Sequence, residues 1–209
     1  MVESKCVAVE GILMASKSVS SSRQLGASLV ELMIASGLSM LAIISIGSVY
    51  LTAQKSATQR SLDLLVLQSM SDTLKYIKED ALRAGYNGSE NAAAIVSGAG
   101  DVYVTTPTSL GYVYLNKSDK YEHVFFKHDD NNIKICTKQS AAIGTQASCN
   151  RYFKMLDENQ VKITDFTVTS TPLGSAVSSA FITLSMTGSL KSSTDSVTLN
   201  TSFKQRNWK

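Results

Sequence analysis

Hydrophobic and polar positions divide the 209-residue chain into three stretches. Residues 1–26 mix charged and small polar side chains with short apolar runs. Leu29–Leu51 is a 23-residue run with one charged member, Glu31. As a helix it would extend about 35 Å, and a bilayer core needs roughly 20 apolar residues, so it is long enough for one membrane span. Beyond it, Leu62, Val66, Met70, Leu74, Ile77 and Ala81 recur at steps of three and four. That spacing predicts an amphipathic continuation of the helix, with Lys75 and Glu79 at i and i+4 on its wetter side. Gly85, with Gly88 close behind, supplies the stop. A helix from Ser28 to Ala84 would be roughly 85 Å long, more than a soluble domain needs.

From Tyr86 onward the period changes to two. DVYVTT, GYVYL, EHVFFKH, NIKICT, VKITDFTVTS, AFITLSM and SVTLNTSF are rich in β-branched and aromatic residues, with turn-like stretches between them. Asp129-Asp130-Asn131-Asn132 reads as a hairpin turn. Gly188–Ser196 is polar and reads as a mobile connection. The expected fold is α+β: a long N-terminal helix, its second half wrapped by an antiparallel sheet.

Charge adds little about partners, since charged residues are 18% and the net charge is +3. Locally it says more. A carboxylate inside a membrane span costs on the order of 3 kcal/mol on insertion scales. Glu31 either snorkels to the interface or has a partner elsewhere, and charge alone does not choose. Before the apolar run stand Lys5, Lys17 and Arg23 against Glu3 and Glu10, 3 − 2 = +1, which favours a cytoplasmic N-terminal side. Cys136 and Cys149 have twelve residues between them and no histidine. Zinc does not fit that spacing, whereas export to an oxidising compartment would make the two a disulfide.

Candidate chemistry is sparse. No nucleophile elbow, H-E-x-x-H, phosphate loop or G-x-G-x-x-G occurs, so catalysis is not expected. His123 and His128 are five apart on a predicted strand and face opposite ways, so no metal site is expected. The Asp129–Asn132 run lacks the alternating acidic spacing of a calcium loop and reads as a solvated turn. No cofactor is implied. Lys204, Arg206, Trp208 and Lys209 mix basic and aromatic residues. They read as an exposed terminus, with nucleic-acid contact as the minor alternative.

Arg23-Gln24-Leu25-Gly26 followed by Ala27-Ser28-Leu29-Val30-Glu31-Leu32 resembles the class III signal of type IV prepilins. That signal is a polar leader ending in glycine, then an apolar helix whose fifth residue is glutamate. The resemblance implies that a prepilin peptidase cuts between Gly26 and Ala27 and N-methylates Ala27. It implies that Glu31, as fifth mature residue, pairs with the amine of a neighbouring subunit. Ala27 departs from the phenylalanine most common there. Whether translation starts at Met1 or Met14 stays open; the second start gives the more usual leader.

Asp80-Ala81-Leu82-Arg83-Ala84-Gly85-Tyr86-Asn87-Gly88 resembles the D-(x)-R-x-A-G-Y-x-G stretch of PilW-type minor pilins, relatives of the J-type pseudopilins of type II secretion. The Arg206-Asn207 ending is similar to theirs as well. The implied organisation is a leader at 1–26, a membrane and assembly helix at 27–52, an amphipathic half-helix at 53–86 and a β-rich domain at 87–209. The implied protein is a non-enzymatic minor pilin that primes pilus assembly. It would be held in the inner membrane with its C-terminal domain in the periplasm, and later lie in the pilus at the cell surface. Its implied partners are the peptidase, the other minor pilins, the major pilin and the inner-membrane assembly platform. The alternatives are a J-type pseudopilin and a pilus-borne adhesin or DNA-binding subunit.

Overall fold

The structure, a computed structural model, describes residues 28–90, 92–145, 149–174 and 179–207. One helix, α1 (Leu29–Ala81), precedes eight strands: β1 (Val104–Thr106), β2 (Ser109–Leu115), β3 (Tyr121–Asp129), β4 (Asn132–Ser140), β5 (Phe153–Lys154), β6 (Val161–Pro172), β7 (Ala180–Leu190) and β8 (Ser196–Lys204). The chain divides into two compact units, one ending at Thr52 and one running Ala53–Lys209. Each contains part of α1.

In the first unit the helix shows its apolar side chains outward, Leu29, Ile43 and Ile46 each at 70% exposure or more. Its hydroxyls turn inward to the helix's own carbonyls. Ser39 donates to Ala35 O at 2.7 Å, Ser45 to Leu41 O at 2.9 Å and Thr52 to Ser48 O at 2.9 Å. A hydroxyl bonded this way needs no water. The segment thus offers a surface in which the polar groups of these residues are already satisfied, as a lipid environment demands.

In the second unit the predicted stripe is the buried face: Val66, Met70, Leu74, Ile77 and Ala81 are all below 5% exposure. Leu62 sits at the margin, 38% exposed. Lys75 Nζ lies 3.9 Å from Glu79 Oε1 on the solvent side. The helix ends at Ala81, three residues before the expected last residue, Ala84. Its last turn tightens there, with Arg83 N–H donating to Asp80 O and Ala84 N–H to Ala81 O, both at 3.0 Å, the three-residue spacing that often closes helices.

The strands form two antiparallel sheets where one was expected. Sheet A runs β1-β2-β3-β4-β5 and sheet B runs β6-β7-β8. The two-residue β5 was not foreseen, and of DVYVTT only Val104–Thr106 is strand, although Val102 and Tyr103 are buried. Ile163 N–H donates to Asn131 O at 2.8 Å and Val168 N–H to Pro107 O at 3.0 Å, stitching β6 to the loops of sheet A. The hairpin falls where predicted: Asp129 pairs with Asn132, and Asp130 and Asn131 take φ of 51° and 56°. Two successive left-handed residues make the turn whose twist suits a two-residue hairpin, and after glycine Asn and Asp tolerate that backbone best.

Alternation on β2 and β3 splits the interior in two. Leu110, Tyr112, Tyr114, Val124 and Phe126 face the main core with the α1 stripe and sheet B. Val113 and Phe125 face a second, smaller core with Ala94, Val96, Cys136 and Cys149. Sheet A is therefore covered on both faces.

The expected mobile connection at Gly188–Ser196 is shorter than the sequence suggested. Gly188, Ser189 and Leu190 belong to β7 and are buried. Gly188 lies under the helix: a Cβ there would stand 2.9 Å from Ile163 Cδ1, 3.0 Å from Met70 Sδ and 3.1 Å from the Lys162 carbonyl. Its lack of a side chain is what lets sheet B reach α1. Gly188→Val should therefore overpack this contact and destabilise by about 1–3 kcal/mol. Urea unfolding of the oxidised protein measures it; an unchanged midpoint would show that helix and sheet have room to part.

Candidate functional site

Glu31 occupies the third position of α1, after Ser28. Its Oε2 accepts the Ser28 backbone N–H at 3.1 Å, and Leu32 N–H donates to Ser28 O at 3.2 Å. Ser-x-x-Glu is the spacing of a capping box, and this is the glutamate's half of it. The carboxylate also sits where the helix dipole favours negative charge. Sequence reasoning saw the glutamate's cost but not this local acceptor role, although the Ser28–Glu31 spacing was visible. The expected cut between Gly26 and Ala27 lies outside the described residues, as do the leader, Trp208 and Lys209.

The far end of α1 carries a buried polar cluster, built around Asp80 and Arg83 of the Asp80–Gly88 stretch. Asp80 lies on the buried face, at 8% exposure. Its Oδ2 accepts the Tyr112 hydroxyl at 2.7 Å and its Oδ1 accepts the Tyr114 hydroxyl at 3.2 Å. Arg83 Nη1 stands 3.6 Å from Oδ1, with its guanidinium 5.7 Å from the Tyr114 ring centre. A carboxylate at a helix C-terminus opposes the dipole, so these donors are what make it tolerable there. The phenols respond. Burial first, then the Asp80 charge, pushes Tyr112 well above the usual tyrosine value, and Tyr114 rises for the same two reasons. Burial alone raises Tyr103, whose hydroxyl donates to Ala81 O at 2.8 Å.

The rest of the stretch turns the chain from helix to sheet. Gly85 has φ +78°, and a Cβ there would meet Val102 Cγ1 at 3.0 Å and Asn207 Cβ at 3.3 Å. Its N–H donates to Val113 O, its carbonyl accepts Ala94 N–H, both at 2.9 Å, and Tyr86 O accepts Leu115 N–H at 2.8 Å. Asn207 Nδ2 then donates to Ala84 O at 2.8 Å and to Arg83 O at 3.4 Å. The two short motifs read separately from the sequence, at Asp80–Gly88 and Arg206-Asn207, thus meet: the second caps Ala84 O and adds a longer contact to Arg83 O, which also accepts the Tyr86 N–H at 3.0 Å. Beside them runs an open groove of about 850 Å³, whose rim mixes Arg83, Lys117 and Arg206 with Asp119 and Glu122.

Cys136 and Cys149 are joined, with Cα atoms 6.0 Å apart. They close a loop of twelve residues. Its described part folds back: Gly144 N–H donates to His123 Nε2 at 2.8 Å, Ser97 N–H donates to Gly144 O at 3.0 Å, and Ile143 packs on the smaller core. His123 is buried in this role, with Nδ1 3.3 Å from Lys138 O, while His128 Nε2 lies 3.0 Å from Ile163 O. At the hairpin, Lys134 Nζ stands 2.9 Å from Asp129 Oδ2 and 2.6 Å from Asp130 Oδ2, and Lys127 Nζ 3.2 Å from Asp129. These contacts hold Asp129 below the usual carboxylate value.

A family model described as PpdB, prepilin peptidase-dependent protein B, matches residues 59–205. The matched region takes in the second part of α1, the Asp80–Gly88 turn and both sheets. No curated protein and no solved structure matches the chain.

The phenol cluster sets an alkaline limit on stability. Tyr112 is held neutral by the fold beyond the pH at which a free phenol ionises. Its stabilisation is complete below about pH 10 and is lost as pH rises toward its folded value. Stability should fall above about pH 10, Tyr112 supplying up to about 1.4 kcal/mol per pH unit of that slope. Tyr112→Phe should remove that share and, by stripping a donor from buried Asp80, lower stability at neutral pH by about 1–3 kcal/mol. Urea titrations from pH 8 to pH 12 test both; an identical slope in the variant would detach Tyr112 from the effect.

Proposed function

Since the chain belongs to the prepilin peptidase-dependent protein B family, we propose that it is a minor type IV pilin of PilW type. It is a substrate of prepilin peptidase and has no catalysis of its own. The peptidase cuts after Gly26 and methylates Ala27. The apolar part of α1 holds the product in the inner membrane, with Ala53–Lys209 on the periplasmic side. From there it joins the other minor pilins and the major pilin at the assembly platform and primes a pilus.

The observation that carries this reading is the first unit of α1. It is an apolar, outward-facing helix that satisfies its own hydroxyls and bears one carboxylate, at its N-terminal end. In lipid that carboxylate has, among the described residues, the Ser28 N–H as its donor. Beside the amine of a neighbouring subunit it has an opposite charge, and a buried pair is far less costly than either ion alone. The difference draws the subunit from bilayer to filament and fixes its axial register. The knot of Asp80, Gly85 and Asn207 supports the PilW-type assignment, since it gives one structural role to both short resemblances.

Mass spectrometry of the protein recovered from membranes with active peptidase should find an N-terminus at N-methylated Ala27. An intact N-terminus upstream of Gly26 would reduce the helix to a plain anchor. Glu31→Gln should insert into the membrane normally yet enter sheared filaments at about one-tenth the wild-type level or less, as expected for a lost contact of 1.4 kcal/mol or more. Normal incorporation of that variant would sink the charge-pair mechanism while leaving processing intact.

A further inference from the structure

We propose that β8 is an acceptor edge, onto which an extended segment of another pilin-type subunit adds as a ninth strand. Only the partner's class rests on the reading above; the edge itself does not.

An unpaired strand edge is a row of backbone donors and acceptors in β register, and proteins ordinarily protect it by shortness, a bulge, proline or charge. Three of the four sheet edges here are protected. β1 has three residues and β5 two. β6 has a register shift between Ile163 and Asp165, and its outer side bonds to Asn131 and Pro107. β8 carries one such device, Lys204 at its very end. It pairs with β7 over nine residues without a shift, and Ser196–Phe203 holds no charge and no proline.

The geometry of the open side follows from the register. Gln205 N–H donates to Ala180 O, so alternate residues inward from it, Phe203, Thr201, Leu199 and Val197, exchange hydrogen bonds with β7. The N–H and C=O groups of Thr198, Asn200 and Ser202 then point away from β7. No other strand pairs with β8 among the described residues. Beside this edge a groove of about 500 Å³ separates β8 from α1, with Leu74, Leu82 and Leu199 in its lining and Lys75, Lys78 and Glu79 along the helix side. Backbone pairing needs an extended strand, the lining takes its alternate apolar side chains, and the net positive rim (2 − 1 = +1) favours an acidic residue. A second copy of β8 fits poorly, because Ser196–Phe203 offers no acid to the lysines.

The test uses the full chain, expressed in cells with their own pilin-type subunits and carrying a photo-crosslinking phenylalanine analogue at Thr198. Adducts should map to one extended segment of another pilin-type subunit. Asn200→Pro removes an outward N–H without breaking the β7 ladder, and should cut the adduct about tenfold, whereas Asn200→Ala should not. If Asn200→Pro lowers the melting temperature, Asn200→Lys replaces it, placing a charge on the edge. Adducts to a second copy, adducts scattered over a folded surface, no adduct, or a yield unmoved by the edge variant would each overturn the proposal. If Ala27 is processed normally in the same cells, that failure belongs to the edge alone.

Discussion

A carboxylate buried at the wrong end of a helix organises the globular unit. Asp80 sits at the C-terminus of α1, where the dipole already gathers negative charge, and inside the core, where an ion is expensive. It persists because three donors converge on it, two of them from β2. That requirement fixes how β2 meets the helix, since Tyr112 and Tyr114 must share a face and a height. It also fixes the turn, because the chain leaves Asp80 through Arg83 and reverses at Gly85. The Ala84 carbonyl is then capped from the far end of the sequence.

The two ends of α1 use charge in opposite ways. Asp80 is supplied with its donors by its own chain, and its neighbourhood is closed. Among the described residues Glu31 has one backbone donor and otherwise faces outward. One acid is a finished structural element. The other is the acid that the proposed assembly mechanism pairs with a neighbouring subunit.

Much of this was legible in the sequence, because period alone decides it. The α1 stripe, most of the strands and the Asp129–Asn132 hairpin follow from spacing and from the backbone tolerance of Asp and Asn. The disulfide followed from two cysteines and an assumed oxidising compartment. What stayed hidden depends on contacts between distant segments. Period two is the same in either sheet, so the division into two sheets left no mark. Gly188 looked like loop because its purpose, admitting Met70 and Ile163, belongs to tertiary packing. Asp80 did carry a signal: an acid within an apolar stripe, with tyrosines two apart on a later strand. Neither half means much until the fold brings them together.

The clasp between Asn207 and Ala84 also has a consequence in time. Its partners are 123 residues apart, so at ribosomal speeds of about 5–20 residues per second the cap arrives roughly 6–25 s after the helix end it closes. Through that interval the turn after Asp80 lacks its Asn207 donors, while the apolar half of α1 has long been ready for the bilayer. In the proposed pathway anchoring thus comes first and closure of the second unit last, so the membrane would tether the unfinished domain while its strands are still being delivered.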